Sequence, residues 1–200
     1  MRLIGMLDSP YVRRVAISMK WMGLPFTHEA VSVFRHFDHF ASINPLVKAP
    51  TLVTSTGEVL MDSTVILQYL DTLVPPERRL MPPGARAARE VGVALAAMEK
   101  AVQVYYEYTL RPEDMRHHPW LERVSGQMQR AFGELETLVG DGQHWLHGDK
   151  PMQPDLCIAI AWTFVQHVLP GKLSVEEHPA LARFTARAEA LPAFVDTPLN

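Results

Sequence analysis

The stretch 74-VPPERRLMPPG-84 constrains this chain more than any other part of it. Its four prolines cannot continue a helix or sit inside a sheet, because proline lacks an N–H and fixes φ. The chain is therefore read as two parts on either side of a linker. With 200 residues and 48% hydrophobic content, each part can bury a core of its own.

The two parts differ in periodicity. Before the linker, 2-RLIGM-6 reads as a buried strand. The segment 10-PYVRRVAISMKWMGL-24 then places Val12, Val15, Ala16, Met19 and Met22 on one helical face, with Gly23 as its stop. A β-branched and aromatic mix in 26-FTHEAVSVF-34 predicts a second strand. A short helix, 35-RHFDHFASINP-45, ends at Asn44-Pro45. The runs 51-TLVT-54 and 58-EVLM-61 flank the turn 55-STGE-58 and predict a hairpin. Finally 62-DSTVILQYLDTL-73 lines up Val65, Ile66, Tyr69, Leu70 and Leu73. The order is β-α-β-α-β-β-α, with a parallel first pair and an antiparallel hairpin.

After the linker the pattern is helical throughout. Helices are expected over 86–110 (Val91, Leu95, Met98, Val102, Tyr105) and 120–139 (Leu121 through Leu138). Pro154 opens 154-PDLCIAIAWTFVQHV-168, which is apolar nearly all round and predicts a central buried helix. A shorter helix, 179-PALARFTARAEAL-191, closes the chain. The charged run 86-RAARE-90 reads as a solvated face or part of a dimer contact.

Composition excludes several classes. A net charge of −3 without a basic cluster argues against nucleic acid. The single cysteine, Cys157, cannot form an intrachain disulfide and is compatible with a reducing compartment. Arg2 precedes an apolar run too short for a signal peptide, and no run approaches the ~20 apolar residues of a membrane span. A soluble, cytoplasmic protein is expected. The histidine pairs His36/His39, His144/His147 and His117/His118 lack supporting ligands, so no metal site is expected.

Local chemistry reads the polar signals plainly. Ser9 is a favoured N-cap, and Pro10 suits the first helical position. Asp62 and Ser63 form a second N-cap pair. Lys48 reads as a solvated loop lysine, and Pro50 as a loop proline before a strand. The aromatic residues Tyr105, Tyr106, Tyr108 and Trp162 are core types as readily as pocket types.

Three motifs in order, 9-SPYVRRVAISMKWMGL-24, 44-NPLVKAPTL-52 and 62-DSTVILQYL-70, give the whole chain a resemblance to the cytosolic glutathione transferases. The likeness is to serine-type (tau-, zeta- or theta-like) members of bacterial style. It implies a thioredoxin-like glutathione-binding domain (1–75), a linker (76–84) and an all-helical domain (85–200) that contributes the acceptor site. It implies a cis peptide bond before Pro50, which turns the backbone of Ala49 toward the cysteinyl part of glutathione. Asp62 and Ser63 would meet the γ-glutamyl end, and Lys48 the glycyl carboxylate. Ser9 would donate a hydrogen bond to the glutathione sulfur and stabilise its thiolate, a role compatible with capping. Tyr11 is the rival hydroxyl. Tyr11, Tyr105, Tyr108 and Met115 are candidates for the acceptor site. Serine at position 9, with Cys157 far along the chain, argues against thiol reductase chemistry through a protein cysteine.

The activity implied is transfer of glutathione to an electrophilic, largely apolar small molecule, a detoxification reaction, by a homodimer. Glutathione-dependent peroxidase or isomerase activity, and a non-catalytic glutathione-binding module, are the alternatives. One departure stands out. The family's capping box in the buried helix has Met152 in the hydroxyl position, so only its acid half, Asp155, remains.

Overall fold

The architecture is that of a computed structural model, which describes residues 1–199. The elements are β1 (Arg2–Ile4), α1 (Pro10–Trp21), β2 (Thr27–Glu29), α2 (Phe37–Ile43), β3 (Thr51–Val53), β4 (Val59–Met61), α3 (Ser63–Thr72), α4 (Ala85–Thr109), α5 (His118–Leu138), α6 (Gln153–Val168), α7 (Pro179–Glu189) and α8 (Pro192–Val195). Single 3-10 turns at Pro76–Arg78 and Glu113–Met115 follow α3 and α4. The chain divides into two units, 1–81 together with the residues from Ala190 on, and 82–189.

The first unit is built on a four-stranded sheet of order β2-β1-β3-β4. β1 runs parallel to β2 and β3 pairs antiparallel with β4, both as expected, and β1 also pairs antiparallel with β3. Ile4 meets Val31 and Phe40 on one face. Strand alternation sends Leu3 to the other, and α1 packs against α3 and β1.

β2 is shorter than its composition predicts. The N–H of Val31 turns back to the Glu29 carbonyl at 2.9 Å, which ends the ladder. The Ser32 hydroxyl then accepts from the N–H groups of Phe34 and Arg35, and His36 Nδ1 accepts from the Ser32 N–H. These local bonds hold 31–36 as a loop despite its β-branched residues. On α3, Val65 and Leu73 are exposed, and the packed face is Ser63, Ile66, Leu67 and Leu70.

α1 is buried nearly all round, its two arginines included. Arg13 Nε donates to the Thr197 carbonyl at 2.8 Å, and its guanidinium lies over the Phe194 ring. Lys20 and Asp196 form an ion pair at 3.8 Å. Phe194 is fully buried there. The closing residues thus depart from the expected helical domain of 85–200. The chain from Ala190 on packs with the first unit, because Phe194 and the Thr197 carbonyl satisfy a buried guanidinium.

In the second unit α4 packs against α5 and α6, and α6 against α7. The packed face of α4 carries Ala87, Ala94, Ala97 and Ala101, so neighbouring helices approach closely, while Leu95, Val102 and Tyr105 sit at its margin. In the run 86–90 Arg86 and Arg89 are solvated as expected, but Glu90 is completely buried, which corrects that reading for the acid. Glu90 pairs with His147 and with Arg86. α6 is buried as its all-round apolar sequence predicts. Its Asp155 accepts from the N–H of Met152 and from that of Leu146, each at 2.8 Å. The acid half of the capping box therefore works without its hydroxyl half, and ties down the preceding loop as well. Burial pushes the Asp155 carboxyl above its ordinary range, opposed by those two N–H groups.

Candidate functional site

The sheet register gathers the first unit's candidate residues at one end. Ile4 pairs with Thr51, and Thr51 with Met61. The chain beyond Ile4 leads to Ser9, the chain before Thr51 is Lys48-Ala49-Pro50, and the chain after Met61 is Asp62-Ser63. Three segments distant in sequence leave the sheet at a single row.

Close packing at that row depends on Gly5. Its φ is +137°, and a Cβ there would lie 2.6 Å from Val12 Cγ2 and 3.1 Å from Ala49 Cβ. Only glycine lets β1, α1 and the Ala49 loop approach in this way. The Ala49–Pro50 bond is cis, as the resemblance implies.

Ser9 caps α1, and its Oγ accepts from the Val12 N–H at 3.5 Å. As an acceptor in that long bond it keeps its O–H available to donate outward. Pro10 occupies the first helical position. The hydroxyl therefore stands at the positive end of a twelve-residue helix.

Asp62 caps α3, its Oδ1 accepting from the Thr64 N–H at 2.9 Å. Its backbone has φ 66°, a left-handed conformation uncommon outside glycine. Such residues cluster where a site needs a particular backbone direction. Ser63, the first residue of α3, is buried. Lys48 Nζ lies 3.7 Å from Asp62 Oδ2. The resemblance assigns these two residues to opposite ends of a tripeptide, and here they face each other as a half-exposed ion pair.

Sequence reading missed Arg14. It is 1% exposed, and its Nη1 donates to Ser63 Oγ at 3.1 Å and Thr64 Oγ1 at 3.3 Å. It lies off the apolar stripe of Val12, Val15, Ala16, Met19 and Met22, so helical spacing places it toward solvent and gives no signal of its burial.

The four residues considered for an acceptor site divide between the units. Tyr11 is on α1 with Ser9, while Tyr105, Tyr108 and Met115 are at the end of α4 and the turn after it. Met115 is exposed. Tyr108 lies between two cations. Lys172 Nζ is 3.3 Å from its hydroxyl, and the Arg116 guanidinium covers its ring while bonding the carbonyls of Glu107 and Tyr108. Arg116 thereby closes the C-terminus of α4. Among the described residues no group of three or more His, Cys, Asp and Glu is placed to hold a metal, and no helix is long and apolar enough to cross a membrane.

A small mixed sheet with a cis-proline loop, joined to a helical unit, defines the class as thioredoxin-like with an appended helical domain. Family models describe both halves: the glutathione S-transferase N-terminal domain matches residues 3–78 and the C-terminal domain residues 119–187. The chain belongs to the glutathione S-transferase family. Among its relatives, the uncharacterised GST-like protein YibF of Escherichia coli is 27% identical, with 86% of each chain covered. Maleylacetoacetate isomerase of Pseudomonas aeruginosa is 26% identical, over 93% of this chain and 89% of its own. A solved glutathione S-transferase from Methylobacterium radiotolerans, in complex with glutathione sulfonate, superposes with a TM-score of 0.89 at 30% identity, over 98% of this chain and 93% of that one.

Proposed function

We propose that the protein binds glutathione in its first unit and activates the thiol for attack on an electrophilic, largely apolar small molecule. The observation that carries this reading is the convergence of Ser9, Ala49-Pro50 and Asp62-Ser63 at one end of the sheet. The γ-glutamyl carboxylate would meet the N-terminus of α3 at Ser63, where helix N–H groups and partial positive charge suit an anion. Asp62 would face the γ-glutamyl amino group, and the backbone of Ala49 the cysteinyl residue. Lys48 would leave Asp62 to meet the glycyl carboxylate. Both side chains are about half exposed, so parting them costs little.

Glutathione's thiol has an ordinary pKa of about 8.5, so little thiolate exists at neutral pH. A hydrogen bond from the Ser9 hydroxyl and the dipole of α1 both favour the charged sulfur. The carbon–sulfur bond then forms as the thiolate attacks, either as the electrophile's leaving group departs with its electron pair or as an activated double bond opens and its carbanion takes a proton from water, and Ser9 itself attacks nothing. The protein works in this reading as a cytoplasmic homodimer, and a sizing column returning the mass of one chain counts against that part.

A second reading is glutathione-dependent isomerisation, favoured by the full-length likeness to maleylacetoacetate isomerase. There the thiolate adds and leaves again, and no glutathione is consumed. Calorimetric titration with glutathione, followed by pH titration of the bound thiol, tests both readings. A bound-thiol pKa below the free value is expected, and an unshifted one overturns thiol activation. Assaying glutathione consumption against a panel of electrophiles, beside isomerisation of maleylacetoacetate, separates the two.

A further inference from the structure

Glu107 is buried on the packed face of α4, 8% exposed, and its Oε2 has no hydrogen-bond partner among the described residues. Arg111, one turn further on, brings its Nε to 2.9 Å from that oxygen, yet no hydrogen bond forms. The cation meets the charge of the acid and leaves its lone pair unused. Buried carboxylate oxygens ordinarily have a donor, as those of Glu90 do on the same face of α4. Glu107 is an acceptor held in place without one.

That acceptor stands in the wall of an open pocket of about 550 Å³, a volume typical of small-molecule sites. The end of α4 and the start of α5 form it, and Arg111, His117, Pro119, Trp120 and Arg123 complete the lining. Arg116 Nε and Nη2 donate to the carbonyls of Glu107 and Tyr108, which ties the turn between the two helices back to α4. None of the four residues considered for the acceptor site, Tyr11, Tyr105, Tyr108 and Met115, lines this pocket. Tyr108 follows Glu107 directly, but successive residues of a helix point about 100° apart.

The lining has a definite chemistry. Trp120 is 40% exposed, whereas Trp145 packs against Phe184 and Arg187, and Trp162 is buried. An indole left in the open at a pocket is a platform on which a flat ring stacks. Two arginines and a histidine outnumber the one acid, so the rim draws an anion. Glu107 needs an N–H. An apolar anion would leave Glu107 unsatisfied, and an organic cation would be repelled by the arginines. A flat heterocycle with N–H groups on its edge and an attached phosphate meets all three demands.

We infer that this pocket is a second ligand site, one that binds a purine mononucleotide: the base stacks on Trp120, its edge N–H donates to Glu107 Oε2, and Arg111 and Arg123 take the phosphate. Arg111 would exchange Glu107 for the phosphate as the base N–H arrives. Its side chain is half exposed, so the exchange costs little. The inference does not rest on the glutathione site, which is built from other residues.

The test is calorimetric titration of the full chain with GMP and AMP, beside guanosine, ribose 5-phosphate and inorganic phosphate. At least one nucleotide is expected to bind about ten-fold or more tighter than the other three, each of which lacks the base or the phosphate. Trp120→Leu should weaken the nucleotide by about ten-fold, as for a lost stacked base, and Arg123→Met by a similar factor. Glu107→Met removes the acceptor, and should weaken the nucleotide while leaving ribose 5-phosphate as before. Glutathione affinity should be the same in all three variants.

Failure of both nucleotides to bind at millimolar concentration overturns the inference. Equal affinity for inorganic phosphate also overturns it, because that marks an adventitious ion only. Nucleotide binding that survives Trp120→Leu places the ligand elsewhere, and an unchanged affinity in Glu107→Met removes the base contact; either result overturns it. Should Glu107→Met not fold, Trp120→Leu and Arg123→Met decide, since both residues are exposed. A parallel loss of glutathione affinity in these variants marks damage to the fold and overturns it as well.

Discussion

Both units bury charge, and they do so in opposite ways. In the helical unit the buried groups are acids, and their partners are in the chain. Glu90 meets His147 and Arg86, and Asp155 takes two backbone N–H groups. In the sheet unit, Arg14 is a buried cation whose partners are hydroxyls and whose Nε has none. A buried charge with its counter-groups in place holds a fold together. Arg14, held by two hydroxyls, leaves its charge without an acid in contact, whereas its neighbour Arg13 is held by the Thr197 carbonyl and the Phe194 ring. The contrast is in the sign of the charge and in its partners, since all three residues, Glu90, Asp155 and Arg14, are equally hidden.

The most forceful way to break this contrast is Asp155→Ala. It leaves the half-buried N–H groups of Met152 and Leu146 without acceptors, at about 1–3 kcal/mol each. A loss of about 2–4 kcal/mol, lowering the melting temperature by about 5–15 °C in calorimetry, is expected. Glutathione affinity of the folded fraction should be unchanged. A large affinity loss would show that Asp155 belongs with the site after all.

Ser9→Ala comes next. Removing one hydrogen bond to a charged sulfur forfeits about 1.5–3 kcal/mol, or about 10–100-fold in turnover. The KM for glutathione should move far less, and stability should fall by the ~1 kcal/mol of a lost cap. Steady-state kinetics with the best electrophile of the panel reads both. Equal effects on KM and turnover would mean that Ser9 only binds.

The pH dependence of stability sharpens the comparison within the helical unit. Burial raises the Asp155 pKa in the folded state, so the folded protein holds this proton more tightly than the unfolded chain. Its contribution is fully present below the ordinary carboxylate pKa and is lost as pH rises through the raised one. Denaturant titrations across that window should show a falling slope that Asp155→Asn removes. A slope that persists in the variant assigns it to another group.

The smallest effect is expected at Lys48. Its pair with Asp62 is half exposed, so Lys48→Ala should change stability by under about 1 kcal/mol. Glutathione should bind more weakly, and its glycyl amide as before. An equal loss for both would remove Lys48 from the glycyl end.

Much of the molecule was legible in the chain. The proline-rich linker, the period-2 runs and the helical stripes are local signals. They specify β1 to β4, α1 to α7 and the parallel and antiparallel pairing. Ser9-Pro10 and Asp62-Ser63 were legible as caps because capping chemistry depends on neighbouring residues alone. Packing faces were legible where apolar residues dominate, as on α5. They slipped on α4, where small alanines form the seam.

Tertiary structure alone decided where the charges went. Periodicity places arginine and glutamate at the surface, because burying them unpaired is costly. The partners that reverse this lie far along the chain. Thr197 is 184 residues from Arg13, Ser63 is 49 from Arg14, and His147 is 57 from Glu90. The same holds for the closing segment, whose place with the sheet unit follows from that buried Arg13, and for the meeting of Lys48 with Asp62. A local pattern records what each residue prefers when alone. Whether a charge can be buried depends on which distant group folds against it, and that exists only once the chain has closed on itself.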